Sequence, residues 1–164
     1  MPVKKAVVRQ VQGITLAAKA ETNHWVMMDG RDSSGAEGAA STPKELLLMA
    51  LGGCTSMDVI PILKKKRVNL EGFEVRLTGN ACEEHPQVFT DIHIEYVFYG
   101  DAIADADVQR AIELSTTKYC SISAMLSAAV KITHSFRIEP TKNSAERGVL
   151  SAEQTILPTA GRPD

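Results

Sequence analysis

Polar and apolar residues alternate loosely over residues 3–12 and 14–20, on either side of Gln12-Gly13, and a short apolar run, Trp25-Val-Met-Met28, follows. This pattern predicts a meander of three strands. Gly30 to Ser41, rich in Gly, Asp and Ser, predicts a flexible loop. Two roles fit that loop, a cover over a site on the element that follows or a plain connector.

From Thr42 to Arg67 the pattern predicts one long helix around which the chain is organised. Pro43 suits a first helical position, and Thr42 with Glu45 three residues on makes a capping box. Lys64, Lys65, Lys66 and Arg67 suit the negative end of the helix dipole. About 24 residues at ~1.5 Å each make a rod of about 36 Å. Leu46 to Leu51 are apolar on every side, so this half needs cover all round. Gly52 and Gly53 each cost about 1 kcal/mol against Ala inside a helix, which suggests that a backbone or a ligand comes close beside Cys54. Cys54, flanked by glycines in an apolar run, is either an inert core thiol or a sheltered nucleophile. Pro61 frees the carbonyl of Met57 and is expected to bend the rod.

Beyond the helix, Phe73, Val75 and Leu77 alternate with charged and polar residues, as do Ile92, Ile94, Tyr96 and Phe98, which predicts a hairpin of two half-buried strands. Its connector, Gly79 to Gln87, holds Cys82 and His85. A metal site needs three or four converging ligands, and no second pair stands at a matching spacing, so no metal is expected there. Asp105 to Lys118 has an apolar face and acids in its first turn, an amphipathic helix. Ser121 is the expected cap of a short helix, Ile122 to Val130, which leaves Cys120 at a helix junction where free N–H groups favour thiolate. Alternation over Ile132, His134, Phe136 and Ile138 predicts a last strand ending at Pro140. His93 and His134 sit in strands and are read as packing or surface residues.

The whole is an α+β chain with the order β-β-β-α-β-β-α-α-β, one domain over 1–140 and a mobile tail over 141–164. The chain has 164 residues, 44% hydrophobic and 23% charged, with net charge -2. No basic excess argues for nucleic acid. No apolar block of signal-peptide type opens it and no apolar run of membrane-spanning length is expected, which places it in the cytoplasm with no membrane partner. Three cysteines in a reducing compartment are not a structural framework. Phosphate loops and nucleophile elbows are absent from the sequence.

The order of elements, together with Ser41-Thr-Pro-Lys-Glu-Leu leading to Cys54 and Tyr119-Cys-Ser-Ile-Ser-Ala124, resembles the OsmC/Ohr family of thiol peroxidases, in the form of its OsmC-like, YhfA-type branch. The resemblance covers roughly residues 3 to 139. It implies a homodimer of two interlocked chains around central helices. It implies that Cys54 attacks a small organic hydroperoxide and that Cys120 resolves the sulfenic acid as a disulfide, with an external dithiol as reductant and no bound cofactor or metal. The family pairs an arginine from its first turn with a glutamate ten residues before the cysteine. Here that turn is Gln12-Gly13, so Arg31 is the candidate replacement and Arg9 a poorer one. Lys44 fills the glutamate's place and Glu45 follows it, so either Lys44 supplies the charge or Glu45 serves, as partner or as helix cap. The alternative function is a non-enzymatic dimer that binds a small apolar ligand at its interface.

Overall fold

The structure is a computed structural model that describes residues 3–31, 36 and 38–140. The predicted tail over 141–164 lies outside the described residues, as do residues 32–35 and 37 of the predicted loop.

Three strands, β1 (Ala6–Gln12), β2 (Thr15–Ala20) and β3 (Trp25–Met28), form the expected antiparallel meander. All seven residues of β1 are exposed, as are most of β3, so this sheet has an open face in the single chain. Buried Asp29 ends the sheet, accepting the N–H of Gly30 and that of Ala39 at 3.0 Å, and so ties the two ends of the loop together.

Helix α1 (Pro43–Lys65) starts where its cap residues require. Thr42 Oγ1 accepts the Glu45 N–H at 3.3 Å and Glu45 accepts the Thr42 N–H at 2.7 Å, so two otherwise orphaned donors are satisfied. The helix runs through Pro61 and closes at Arg67, whose φ of 60° lets the Val68 N–H reach the Leu63 carbonyl and its own N–H reach that of Lys64. One face of α1, with Leu51, Thr55, Val59 and Leu63, is buried, while Met49 and Met57 are 55% and 78% exposed. Contrary to the sequence reading, α1 is long and apolar enough, by length and composition alone, to cross a membrane. Core helices share those two properties, and Leu51, Val59 and Leu63 are enclosed by this chain's own core.

Strands β4 (Gly72–Ala81) and β5 (Phe89–Tyr99) pair antiparallel, and β6 (Lys131–Glu139) adds to β5 in parallel. A parallel neighbour needs a long crossover, here helix α2 (Asp105–Leu114), a π-helical turn (Ser115–Tyr119) and helix α3 (Ser121–Leu126). The sequence reading ran the second helix on to Lys118 and placed the short one at 122–130. Instead the widened turn ends α2 early, and Cys120 rather than Ser121 is the cap of α3. The core joins α1 to Ile92, Ile94, Tyr96 and Phe98 of β5 and to Val108, Ala111 and Ile112 of α2.

The two helix glycines differ. A Cβ on Gly52 would stand 2.6 Å from the Leu77 side chain of β4, so the close neighbour is a side chain rather than the backbone or ligand expected from sequence. A Cβ on Gly53 would meet nothing within 4 Å, because Gly53 lies on the uncovered side of α1.

Candidate functional site

Cys54 and Asp58 are one helical turn apart on α1 and so share a face. Cys120 is brought to that face by the π turn, in which the Cys120 N–H donates to the Ser115 carbonyl at 2.8 Å. The sulfurs of Cys54 and Cys120 and a carboxylate oxygen of Asp58 all lie within 4.8 Å of one another. Cys120 is buried, 3% exposed, whereas Cys54 and Asp58 are half-buried. At the start of α3 the Cys120 sulfur accepts the Ser123 N–H at 3.4 Å.

A chain of buried hydroxyls backs the site. Ser115 donates to Asp58 Oδ2 at 2.9 Å, and Thr55 lies 3.0 Å from Ser115 and 2.8 Å from Tyr96. A serine hydroxyl has one proton, and that of Ser115 goes to the carboxylate. Thr55 must therefore donate to Ser115, and Tyr96 to Thr55. All three protons are directed along the ladder toward Asp58, and burial pushes the Tyr96 hydroxyl up to about 12. Such a network is rigid because every member is satisfied.

Burial pushes the Cys54 thiol above its ordinary value, and its hydrogen bond with Cys120 adds to this. The Ile122 N–H opposes the shift, and charge at Cys120 and Asp58 reinforces it. In the single chain the surroundings of Cys54 thus favour thiol over thiolate.

The other residues singled out from sequence stand elsewhere. Arg31 and Glu45 do meet, at 2.9 Å, in an exposed ion pair. The Glu45 carboxyl is held below its usual range, first by the Thr42 N–H and then by Arg31. Nine residues separate Glu45 from Cys54 on α1, about 13 Å along the axis. Lys44 turns to the β4–β5 connector, donating to the Gln87 carbonyl at 2.6 Å and lying over the Phe89 ring. Arg9 is an exposed residue of β1. In the connector the Cys82 thiol donates to the Glu84 carbonyl at 3.4 Å. His93 bridges the hydroxyls of Thr133 and Ser135 on β6, each at 2.8 Å, and His134 stacks on Tyr96. Asp58, Thr55, Ser115 and Tyr96 escaped the sequence reading, although the four-residue spacing of Cys54 and Asp58 was there to be seen.

Residues 35–135 match the family model described as OsmC-like protein. The chain belongs to the OsmC-like family. It is 42% identical to Protein YhfA of Escherichia coli (strain K12) over 134 residues, 82% of this chain and 97% of that one. Among solved structures, a hypothetical protein from Aquifex aeolicus VF5 is 30% identical with a TM-score of 0.76, covering 87% of this chain and 100% of the other. An organic hydroperoxide resistance protein from Elizabethkingia anophelis shares the fold at 11% identity and a TM-score of 0.65, covering 85% and 98%. The α+β fold expected from sequence is thus that of the OsmC-like family.

Proposed function

We propose that this OsmC-like protein is a thiol-dependent peroxidase that reduces organic hydroperoxides through Cys54 and Cys120. The observation that carries the reading is the approach of the two sulfurs within 4.8 Å. The kinship of fold with organic hydroperoxide resistance proteins supports it. Cys54 is the more accessible sulfur and therefore meets the peroxide. Its sulfur takes the distal peroxide oxygen, the O–O bond breaks, and the thiol proton leaves with the alkoxide as an alcohol. The Cys120 sulfur then displaces hydroxide from the Cys54 sulfenic acid, giving a disulfide and water. An external dithiol returns both thiols, and its own disulfide carries the electrons away.

The reading includes a homodimer. The open face of the β1–β3 sheet and the exposed Met49, Met57 and Ile60 of α1 are apolar surface that a second chain would cover. Arg31 and Glu45 enter the reaction only if that second chain brings their pair to Cys54, since within one chain they stand too far along α1.

The raised Cys54 thiol favours a second reading, a dimer that binds a small apolar ligand and does no peroxide chemistry. Counting free thiols in purified protein after an organic hydroperoxide separates the two readings, because only the peroxidase consumes them.

A further inference from the structure

We propose that Cys54, Asp58 and Cys120 form a binding site for a thiophilic divalent cation of the zinc class. The proposal goes beyond the peroxidase reading and does not rest on it.

The spacing fits. A tetrahedral zinc ion with bonds of ~2.3 Å to sulfur and ~2.1 Å to oxygen holds its sulfurs about 3.8 Å apart and each sulfur about 3.6 Å from the oxygen. The three atoms here already lie within 4.8 Å of one another, so the adjustment needed is about 1 Å or less. Two ligands one turn apart on a helix and a third from another element are a common way to converge on a metal.

The ligands are also held. Ser115 donates to one oxygen of Asp58, and the other oxygen takes no hydrogen bond among the described residues. Behind Ser115 stand Thr55 and Tyr96, each donating toward the carboxylate. The Ser123 N–H fixes the Cys120 sulfur, and the buried Ser123 hydroxyl has no partner among the described residues. Metal ligands oriented by such outer hydrogen bonds bind more tightly and in fewer geometries.

The charges point the same way. Asp58 has no ion-pair partner among the described residues, and two thiols face it. A divalent cation would take the place of two thiol protons: the metal ion and two thiols give a dithiolate complex and two released protons, with no change of oxidation state. Three protein ligands leave one tetrahedral position for water or another small donor. Metal and the Cys54–Cys120 disulfide are then mutually exclusive, because each uses both sulfurs.

The test uses the reduced full-length chain, stripped with a chelator, and titrated with zinc against a chromophoric competitor. One zinc per chain and release of two protons are expected, and cobalt in place of zinc should give a thiolate-to-metal absorption band. Cys54→Ser and Cys120→Ser should abolish tight binding, Ser115→Ala should weaken it about tenfold or more, and Cys82→Ser should leave it unchanged. Circular dichroism of each variant checks that it is folded. Failure of the folded wild type to hold zinc against the competitor would overturn the proposal, as would retention of full affinity in the folded Cys120→Ser variant. No peroxide enters this test, so its failure leaves the peroxidase reading standing.

Discussion

The sulfurs of Cys54 and Cys120 meet within 4.8 Å although two strands and a helix separate them in the chain. A disulfide needs sulfurs at ~2.05 Å, so closure asks for a shift of at most about 3 Å. Cys120 stands between a π turn and a six-residue helix, and the turn is the element best suited to give way. The same approach raises the Cys54 thiol, since burial, the Cys120 thiol and Asp58 all disfavour charge there.

Alkylation of Cys54 should follow that shift. In chelator-treated protein its rate against pH should rise at higher pH than for an ordinary thiol. Asp58→Asn removes the charge that adds least to the shift and should move the profile slightly down, speeding alkylation at neutral pH. An unmoved profile would mean that the carboxylate does not act on the sulfur.

Tyr96 sets an alkaline limit to stability. Its hydroxyl is raised from 10.0 to about 12, so the unfolded chain loses this proton first as pH rises. Stability associated with Tyr96 is therefore complete below pH 10 and declines through about pH 12, by at most about 2–3 kcal/mol. Urea unfolding across this range should show a decline in wild type that is shallower in Tyr96→Phe.

Gly52 and Gly53 are expected to respond differently to the same substitution. Alanine raises helix propensity by about 1 kcal/mol at either place. At Gly52 the new methyl also meets Leu77, at 2.6 Å before any relaxation, and overpacking of this kind costs about 1–3 kcal/mol. Gly52→Ala should be less stable than Gly53→Ala by that margin. Equal stability would mean that the Leu77 side chain moves aside at little cost.

The assembly can be read through Trp25, the sole tryptophan, which is 50% exposed on β3 in the single chain. Light scattering should give twice the 17.7 kDa of one chain, and Trp25 emission should lie to the blue of a solvated indole until the dimer is diluted apart. A well-folded monomer with red-shifted Trp25 would contradict the proposed dimer.

The long helix was legible because its signals are local: Thr42 and Glu45 cap it, Pro43 opens it, and its last turn is basic. Strand β5 was legible because its Ile92, Ile94, Tyr96 and Phe98 are buried on one face and alternation follows from that, whereas β1, exposed along its whole length in the single chain, showed only loose alternation. The parallel pairing of β6 was not legible, since residues 131–139 alternate alike beside either kind of neighbour. Nor was the π turn, where Ser-Thr-Thr-Lys-Tyr reads as an ordinary helix end; missing it moved the cap from Cys120 to Ser121. Asp58 stayed hidden for a related reason. An acid in Met57-Asp-Val-Ile looks like a solvated helix position, and only the fold brings Ser115 and Cys120 to it.

The central claim is that Cys54 and Cys120 act as a peroxide-consuming pair, and counting thiols tests it most directly. Reduced, metal-free protein treated with cumene hydroperoxide should lose two of its three thiols and gain one disulfide, mapped by peptide mass to residues 54 and 120, while Cys82 stays free. Cys120→Ser should stop at a sulfenic or sulfinic acid on Cys54, and Cys54→Ser should consume no peroxide; the reverse outcome in the two variants would make Cys120 the attacking thiol. Folded wild type that keeps all three thiols through excess hydroperoxide would contradict the account and leave the ligand-binding dimer in its place.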